Sequence, residues 1–308
     1  MSNAQTIARP AWRWPATGTT WQIHHLGGVS AAAARTIAAT VERDEARWSR
    51  FRPSSTVARI NQRAGSAVTV DAETFRLLGE CRLWTDRTGG VFQPLIGATL
   101  EAWGYRASVL DAEPGTPRSP AAAPADGEIE LDEGTLRVCI PAGTQLDLGG
   151  IAKGWMAQRA ARLVAMLSAD EQILVDAGGD LAAARGDHQI AVERPGLHSL
   201  NRPETPAGDA ATWLTVYEGE GVATSGFGRR RWVNGDGVHA HHLIDPAAGR
   251  PGPESHATVI AGSVVAADVL AKVLALHPES LSDLAVPAMV TDGRAVHSTP
   301  AWDGRVSA

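Results

Sequence analysis

The chain has 308 residues, 44% of them hydrophobic and 20% charged, the composition of a globular protein with a sizeable core. A formal net charge of −6 without any basic block excludes a protein whose main partner is a nucleic-acid backbone, and no stretch approaches the roughly 18 apolar residues of a membrane helix. The two cysteines, Cys81 and Cys139, stand in no metal-ligand spacing and read as free, partly buried thiols.

The first residues hold neither an apolar run of signal-peptide length nor a cysteine able to carry a lipid, so a cytoplasmic protein is expected. Thr19 to Leu26 is predicted as a strand with Trp21, Ile23 and His25 on one face. Ser30 caps a helix reaching about Trp48, with an apolar stripe of Ala34, Ile37, Val41 and Trp48. A loop from Ser49 to Ser55 contains Phe51 and Pro53. Asp71 caps a second helix running through Trp84, with Phe75, Leu78 and Cys81 inward, and Gly89-Gly90 ends it. Residues 107–127 and 196–211 are rich in Pro and Gly without periodicity and read as flexible surface loops. Between them, short strands flank Leu136 to Ile140, and a helix covers Ile151 to Leu167 with Ala152, Met156, Ala160, Leu163 and Leu167 on its stripe. Strands are predicted at 172–176, 189–193, 213–218 and 222–225, the last ending at Gly226. A final helix spans about Val264 to Leu276, and short strands near Val290 and Val296 close the chain. Strands and helices mix without regular βαβ repetition, so the fold class is α+β, and the length allows one large domain or two small ones.

Four segments carry chemistry. In Asp147-Leu-Gly-Gly-Ile-Ala-Lys-Gly154, two glycines precede a helix whose first N–H groups and dipole favour an anion, and Lys153 adds a point charge. The same pattern also serves a turn that only packs a helix on a sheet. Val175-Asp-Ala-Gly-Gly-Asp180 sets two carboxylates around a strand end and a tight turn, which either lines a site or serves the backbone alone. Ala223-Thr-Ser-Gly226 is followed by His242-Leu-Ile-Asp-Pro-Ala-Ala-Gly249. Thr224, Ser225 and Gly226 offer hydroxyls and an amide to a phosphate or flavin edge. His242, clustered with His239 and His241, reads as a ligand-contacting or acid/base group, with a structural histidine as the other reading. Asp268 and Lys272, at i and i+4, share a helix face, either as an ordinary ion pair or as a pair facing a site. The Arg229–Arg231 run reads as a solvated loop.

Taken in order, these segments resemble the ApbE family. The resemblance is carried by Gly18-Thr19, Ser49-Arg-Phe-Arg-Pro-Ser-Ser55 with Asn61, Gly89-Gly-Val-Phe-Gln-Pro94 before Trp103-Gly104, and Asp147 to Gly154. It continues through Gly178-Gly-Asp180, Ile190-Ala-Val-Glu-Arg-Pro195, Thr224-Ser-Gly226, His242 to Pro251 and Ala267-Asp268, covering about residues 16 to 277. It implies a single domain over residues 1–308 with an α+β fold of two mixed subdomains and a flavin cleft between them. The implied activity is that of an FAD:protein FMN transferase, which splits the FAD pyrophosphate with a divalent metal, usually magnesium. FMN then passes to a Thr or Ser of a target flavoprotein, and AMP is released. Relatives that hydrolyse FAD to FMN and AMP, or an FAD-binding protein with reduced metal chemistry, are the alternatives.

By the same resemblance, Phe51 lies against the isoalloxazine, and the amides near Gly149 and Gly150 sit with Lys153 by the phosphates. Gly178, Gly179, Asp180, Thr224, Ser225 and Gly226 line the nucleotide pocket. His242 is the base on the acceptor hydroxyl, and Asp268 with the main-chain oxygen of Ala152 holds the metal. The sequence departs from the family pattern at that metal. Lys272 stands where the family has a metal-binding Thr, and Gln93 and Gln158 replace carboxylates. An ammonium is donor-only, and magnesium prefers hard oxygen ligands. The expectation is that Lys272 pairs with Asp268 near the vacated metal position and touches FAD phosphate directly.

Overall fold

The computed structural model describes residues 10–106, 127–193, 211–234 and 237–306. The two expected loops therefore lie almost wholly outside the described residues. Ala211, placed in the second loop by composition, is instead the first residue of the strand Ala211–Val216. The chain divides into two compact units, one of residues 1–42, 153–226 and 254–308, the other of residues 43–152 and 227–253.

The first unit is built on an eight-stranded sheet. Its strands run in the order Pro10–Ala16, Thr19–His25, Ile173–Asp176, Asp180–Arg185, Gly221–Gly226, His256–Ala261, Ala288–Thr291 and Val296–Ser298. Every neighbouring pair is antiparallel. Side chains alternate between faces along a strand and directly opposed residues share one, so pairing fixes what each face presents. On one face Leu174, Ala183, Val222, Ile260 and Met289 are covered by Ile190, Val192, Leu214 and Val216 and by Trp302. These covering residues come from the antiparallel ribbon of His188–Glu193 with Ala211–Val216 and from the short helix Pro300–Asp303. On the other face, Gly221, Ala223 and Ser225 alternate with that set and look toward the helix Val264–Leu276. A Cβ at Gly221 would overlap Val264, so the glycine lets this helix start against the sheet.

Local chemistry explains the helices. Ser263 caps Val264–Leu276 by accepting from the Ala266 N–H at 3.1 Å, and nine of its thirteen residues are buried. The helix Ala31–Trp48 begins after Ser30, whose hydroxyl accepts from Ala33 at 3.2 Å, and Ala34, Ile37, Val41 and Trp48 are buried as its spacing requires. In Ala152–Leu167 the expected stripe is partly corrected. Met156 and Ala160 are buried, but Leu167 is exposed and the face continues through Ala157, Ala161 and Val164. Small side chains carry the contact there because the helix packs close.

The second unit holds the helices Thr56–Gln62, Ala72–Arg87 and Gly97–Ala102. Its three-stranded sheet runs in the order Val68–Thr69, Arg137–Cys139, Glu130–Asp132, and two ribbons pair Arg231–Val233 with His239–His241 and Ile244–Asp245 with Arg250–Pro251. Asp71 caps Ala72–Arg87 by accepting from Glu73 and Thr74, both at 3.0 Å. Phe75 is only half-buried, and Leu77 takes the fully buried position beside Leu78 and Cys81. Cys81 and Cys139 are free thiols. Among the described residues no helix is long and apolar enough to cross a membrane.

Candidate functional site

In the first unit, the sheet and two helices bring four charged side chains together. Asp180 is the first residue of its strand and pairs with Ala223, so its carboxylate points to the face that carries the helix Val264–Leu276. There it takes the Lys153 ammonium from the first turn of the helix Ala152–Leu167. Asp268, within Val264–Leu276, is fully buried. One of its oxygens accepts the Lys272 ammonium from the next turn, and the other accepts the Gly154 N–H at 3.1 Å. A Cβ on Gly154 would stand 2.9 Å from the Asp268 Cβ and 3.0 Å from the Val264 carbonyl, so the glycine ending the Asp147–Gly154 segment is a packing requirement.

The charges act on one another. Burial pushes the Asp180 carboxyl above its usual value, and neighbouring Asp268 pushes it further, against the pull of Lys153 and Lys272. The carboxylate side chains are 2% and 0% exposed, whereas Lys153 and Lys272 are 19% and 12% exposed. The accessible edge of a formally neutral quartet is therefore cationic.

The glycines before Asp180 form a turn rather than an open cradle. Asp176 Oδ1 accepts from the Gly178 and Gly179 N–H groups at 2.7 and 2.9 Å, and both glycines have positive φ, 75° and 106°. A Cβ on Gly178 would overlap the Thr19 side chain, which ties Gly18-Thr19 to Gly178-Gly-Asp180 by close approach. Of the Thr-Ser-Gly segment, Ser225 lies on the same sheet face as Asp180. Thr224 lies on the opposite face, where its hydroxyl meets that of Thr258 at 2.9 Å. A Cβ on Gly226 would overlap the His256 ring.

The second unit gathers Phe51 and a histidine segment. The Arg50 guanidinium lies 4.2 Å from the centre of the Phe51 ring and 5.1 Å from that of Tyr105, and bonds Asp147, Glu101 and the Tyr105 carbonyl. Phe51 meets Tyr105 edge-on at 5.4 Å, and Tyr105 stacks on Trp232 at 5.3 Å. Burial pushes the Tyr105 hydroxyl up, and the nearby Arg230 guanidinium partly offsets this. Arg230, in the run read as solvated, thus has a specific role. Trp103 and Trp232 are locked together, with the Trp232 indole donating to the Trp103 carbonyl at 2.7 Å and the Trp103 indole to the Gly249 carbonyl at 2.9 Å.

The Gly149 N–H, expected at a phosphate, donates to Asp147 at 2.7 Å, and Gly150 follows it in the same half-exposed turn. Ala152 is buried, opens the next helix and belongs to the second unit, whereas Asp268 belongs to the first. His242 is half-buried and its backbone N–H donates to the Arg230 carbonyl at 3.2 Å. His241 is buried, with its Nε2 3.1 Å from the Gly252 carbonyl, while His239 is exposed. Asp245 accepts from Ala247 and Ala248 and shapes the turn after His242. Among the described residues no group of three or more His, Cys, Asp or Glu side chains is placed to hold a metal ion.

Sequence reading missed Arg50, Tyr105 and Trp232. Arg50 was within view, since it adjoins Phe51 in a loop that otherwise has no reason to carry a buried cation. Its partners lie 51 to 97 residues away, and only the fold assembles them.

Comparisons with known proteins agree with the family resemblance. A sequence model of the ApbE family matches residues 17–287. An FAD:protein FMN transferase of Treponema pallidum is 32% identical over 235 residues, covering 71% of this chain and 64% of the relative. One of Rhodobacter capsulatus is 29% identical over 261 residues, covering 80% and 47%. The chain thus spans less than two thirds of the length of either. Among solved structures, the ApbE protein of Thermotoga maritima superposes with a TM-score of 0.80 at 26% identity, covering 96% of this chain and 99% of that one. The apo flavinyl transferase of Pseudomonas stutzeri, at 22% identity and a TM-score of 0.74, shares the fold.

Proposed function

Because the chain belongs to the ApbE family, we propose that it is an FAD:protein FMN transferase acting on a flavoprotein that presents a Thr or Ser hydroxyl. The observation that carries this reading is the family match across residues 17–287, together with relatives of that activity. In the proposed reaction the acceptor oxygen attacks the phosphorus of the FMN half of FAD. A new phosphoester bond forms, and the bridging P–O bond breaks. AMP leaves with the bridging oxygen, and the hydroxyl proton passes to the His242 imidazole and then to solvent. Phe51, backed by Arg50 and Tyr105, offers an aromatic surface to the isoalloxazine. Lys153 supplies positive charge to the phosphates, with Asp180 holding it in place. Within the first unit, Ser225 shares the sheet face of Asp180, and the Gly178-Gly179 turn leads into Asp180, so this segment lines the nucleotide beside Lys153 in the proposed complex. A resident magnesium ion at Asp268 does not fit the donor set, because the donor-only Lys272 ammonium stands on that carboxylate and repels a dication there.

The test is acceptor-dependent release of AMP from FAD, followed by chromatography. Release is expected with an acceptor domain carrying the Thr or Ser and is lost when that residue is Ala. His242→Asn should lower the rate by about 100-fold or more, the usual contribution of a positioned base, while FAD binding persists. AMP release that ignores the acceptor, or a His242→Asn variant as fast as the parent, contradicts the proposal.

A further inference from the structure

The quartet of Lys153, Asp180, Asp268 and Lys272 has a polarity that decides which ligand it takes. Both carboxylates are buried behind their partners, and both ammonium-bearing chains reach the surface. A dication approaching this edge meets two ammonium-bearing side chains, with both carboxylates buried. A polyanion meets two ammonium groups whose own counter-charges are desolvated and fixed. Asp268 also ties the two helices together, since from Val264–Leu276 it takes the Gly154 N–H of Ala152–Leu167, while its other oxygen takes the Lys272 ammonium of its own helix. The Lys272 ammonium additionally donates to the Asp268 carbonyl at 3.2 Å, which leaves it further hydrogen-bonding capacity for a ligand.

We infer that Lys272, with Lys153, forms a resident cationic clamp for the pyrophosphate of FAD, and that this chain binds and cleaves FAD without a divalent cation. Asp268 is then a positioning residue for Lys272. The inference rests on the FMN-transfer reading. Within it, Lys272 neutralises the charge that gathers on the departing AMP phosphate as the bridging bond breaks. A lysine is a point charge on a flexible stem, so the buried Asp268 supplies the fixed direction that a metal would otherwise obtain from its coordination shell.

Flavin fluorescence titrations of the full chain in excess chelator test this, with FAD and with riboflavin, which lacks phosphates. FAD should bind the parent chain with less than about a twofold change on adding magnesium. Lys272→Gln should weaken FAD by about tenfold or more, the worth of a charge-assisted hydrogen bond, and leave riboflavin within about twofold. Lys272→Arg should recover most of the loss, because it keeps the charge. The double variant Asp268→Asn/Lys272→Gln, which leaves no unpaired buried charge, should show the same selective loss of FAD. It carries the test if the single variant does not fold. FAD binding that requires magnesium, or a Lys272→Gln or double variant that binds FAD like the parent, overturns the clamp while leaving the transferase reading in place. Absence of FAD and riboflavin binding under all conditions overturns the flavin reading itself.

Discussion

Single residues in this molecule set charge by being buried beside a chosen partner. Asp170 illustrates the rule outside the candidate site. It is 9% exposed, and its carboxylate accepts from Gly27 at 3.0 Å, Gly28 at 2.7 Å and Gln172 at 3.1 Å. Burial pushes its carboxyl up, but these N–H donors outweigh burial and hold it below the ordinary aspartate value of 3.8. A depressed folded value contributes stability that is present above 3.8 and lost as pH falls through the folded value. Asp170→Asn, which replaces an acceptor by a donor at one oxygen, should cost about 1–3 kcal/mol at neutral pH. The gap from the parent, read by urea denaturation, should close as the pH falls below 3.8. A gap that stays constant across pH would show that the ionised form is not favoured by folding. At this scale the sequence was informative where partners are local. The Asp268–Lys272 pair was readable from its i, i+4 spacing alone. The Lys153–Asp180 pair, 27 residues apart, required knowing which sheet face the start of the strand Asp180–Arg185 presents.

At the scale of elements, several motif glycines prove to be contact points between elements. Gly154 admits Asp268, Gly178 admits Thr19, and Gly226 admits His256. Gly178 carries two constraints at once, a positive φ of 75° and the overlap any Cβ would make with Thr19. Gly178→Ala should therefore destabilise the fold by about 3 kcal/mol, combining backbone strain with overpacking. A thermal midpoint within error of the parent would contradict that account of the turn. Caps and periodicity made the longer helices legible, as with Ser30, Asp71 and Val264–Leu276. The helix Thr56–Gln62 was not, because seven residues with Val57, Ala58 and Ile60 buried are too few to show a period, even with Ser55 accepting from Ala58 at 2.9 Å. The strand Pro10–Ala16 was masked by its two prolines, which an edge strand tolerates. Helix packing by alanine in Ala152–Leu167 misplaced the expected stripe, since leucine marks a buried face only when the neighbour leaves room for it.

For the whole molecule, the order of eight antiparallel strands brings Thr19–His25 beside Ile173–Asp176, pairing Gln22 with Asp176 across about half the chain. Pairings of such sequence separation leave no trace in local pattern, so α+β was readable and the topology was not. Family membership is what joins the two units into one functional reading. The charged quartet belongs to the first unit, and Phe51 and His242 belong to the second. The most direct test of FMN transfer is the intact mass of a Thr- or Ser-bearing acceptor domain after incubation with FAD and this protein. FMN transfer yields an acceptor heavier by one esterified FMN, with AMP formed in equal amount. An acceptor of unchanged mass, whether FAD remains whole or is cut to free FMN and AMP, would contradict it.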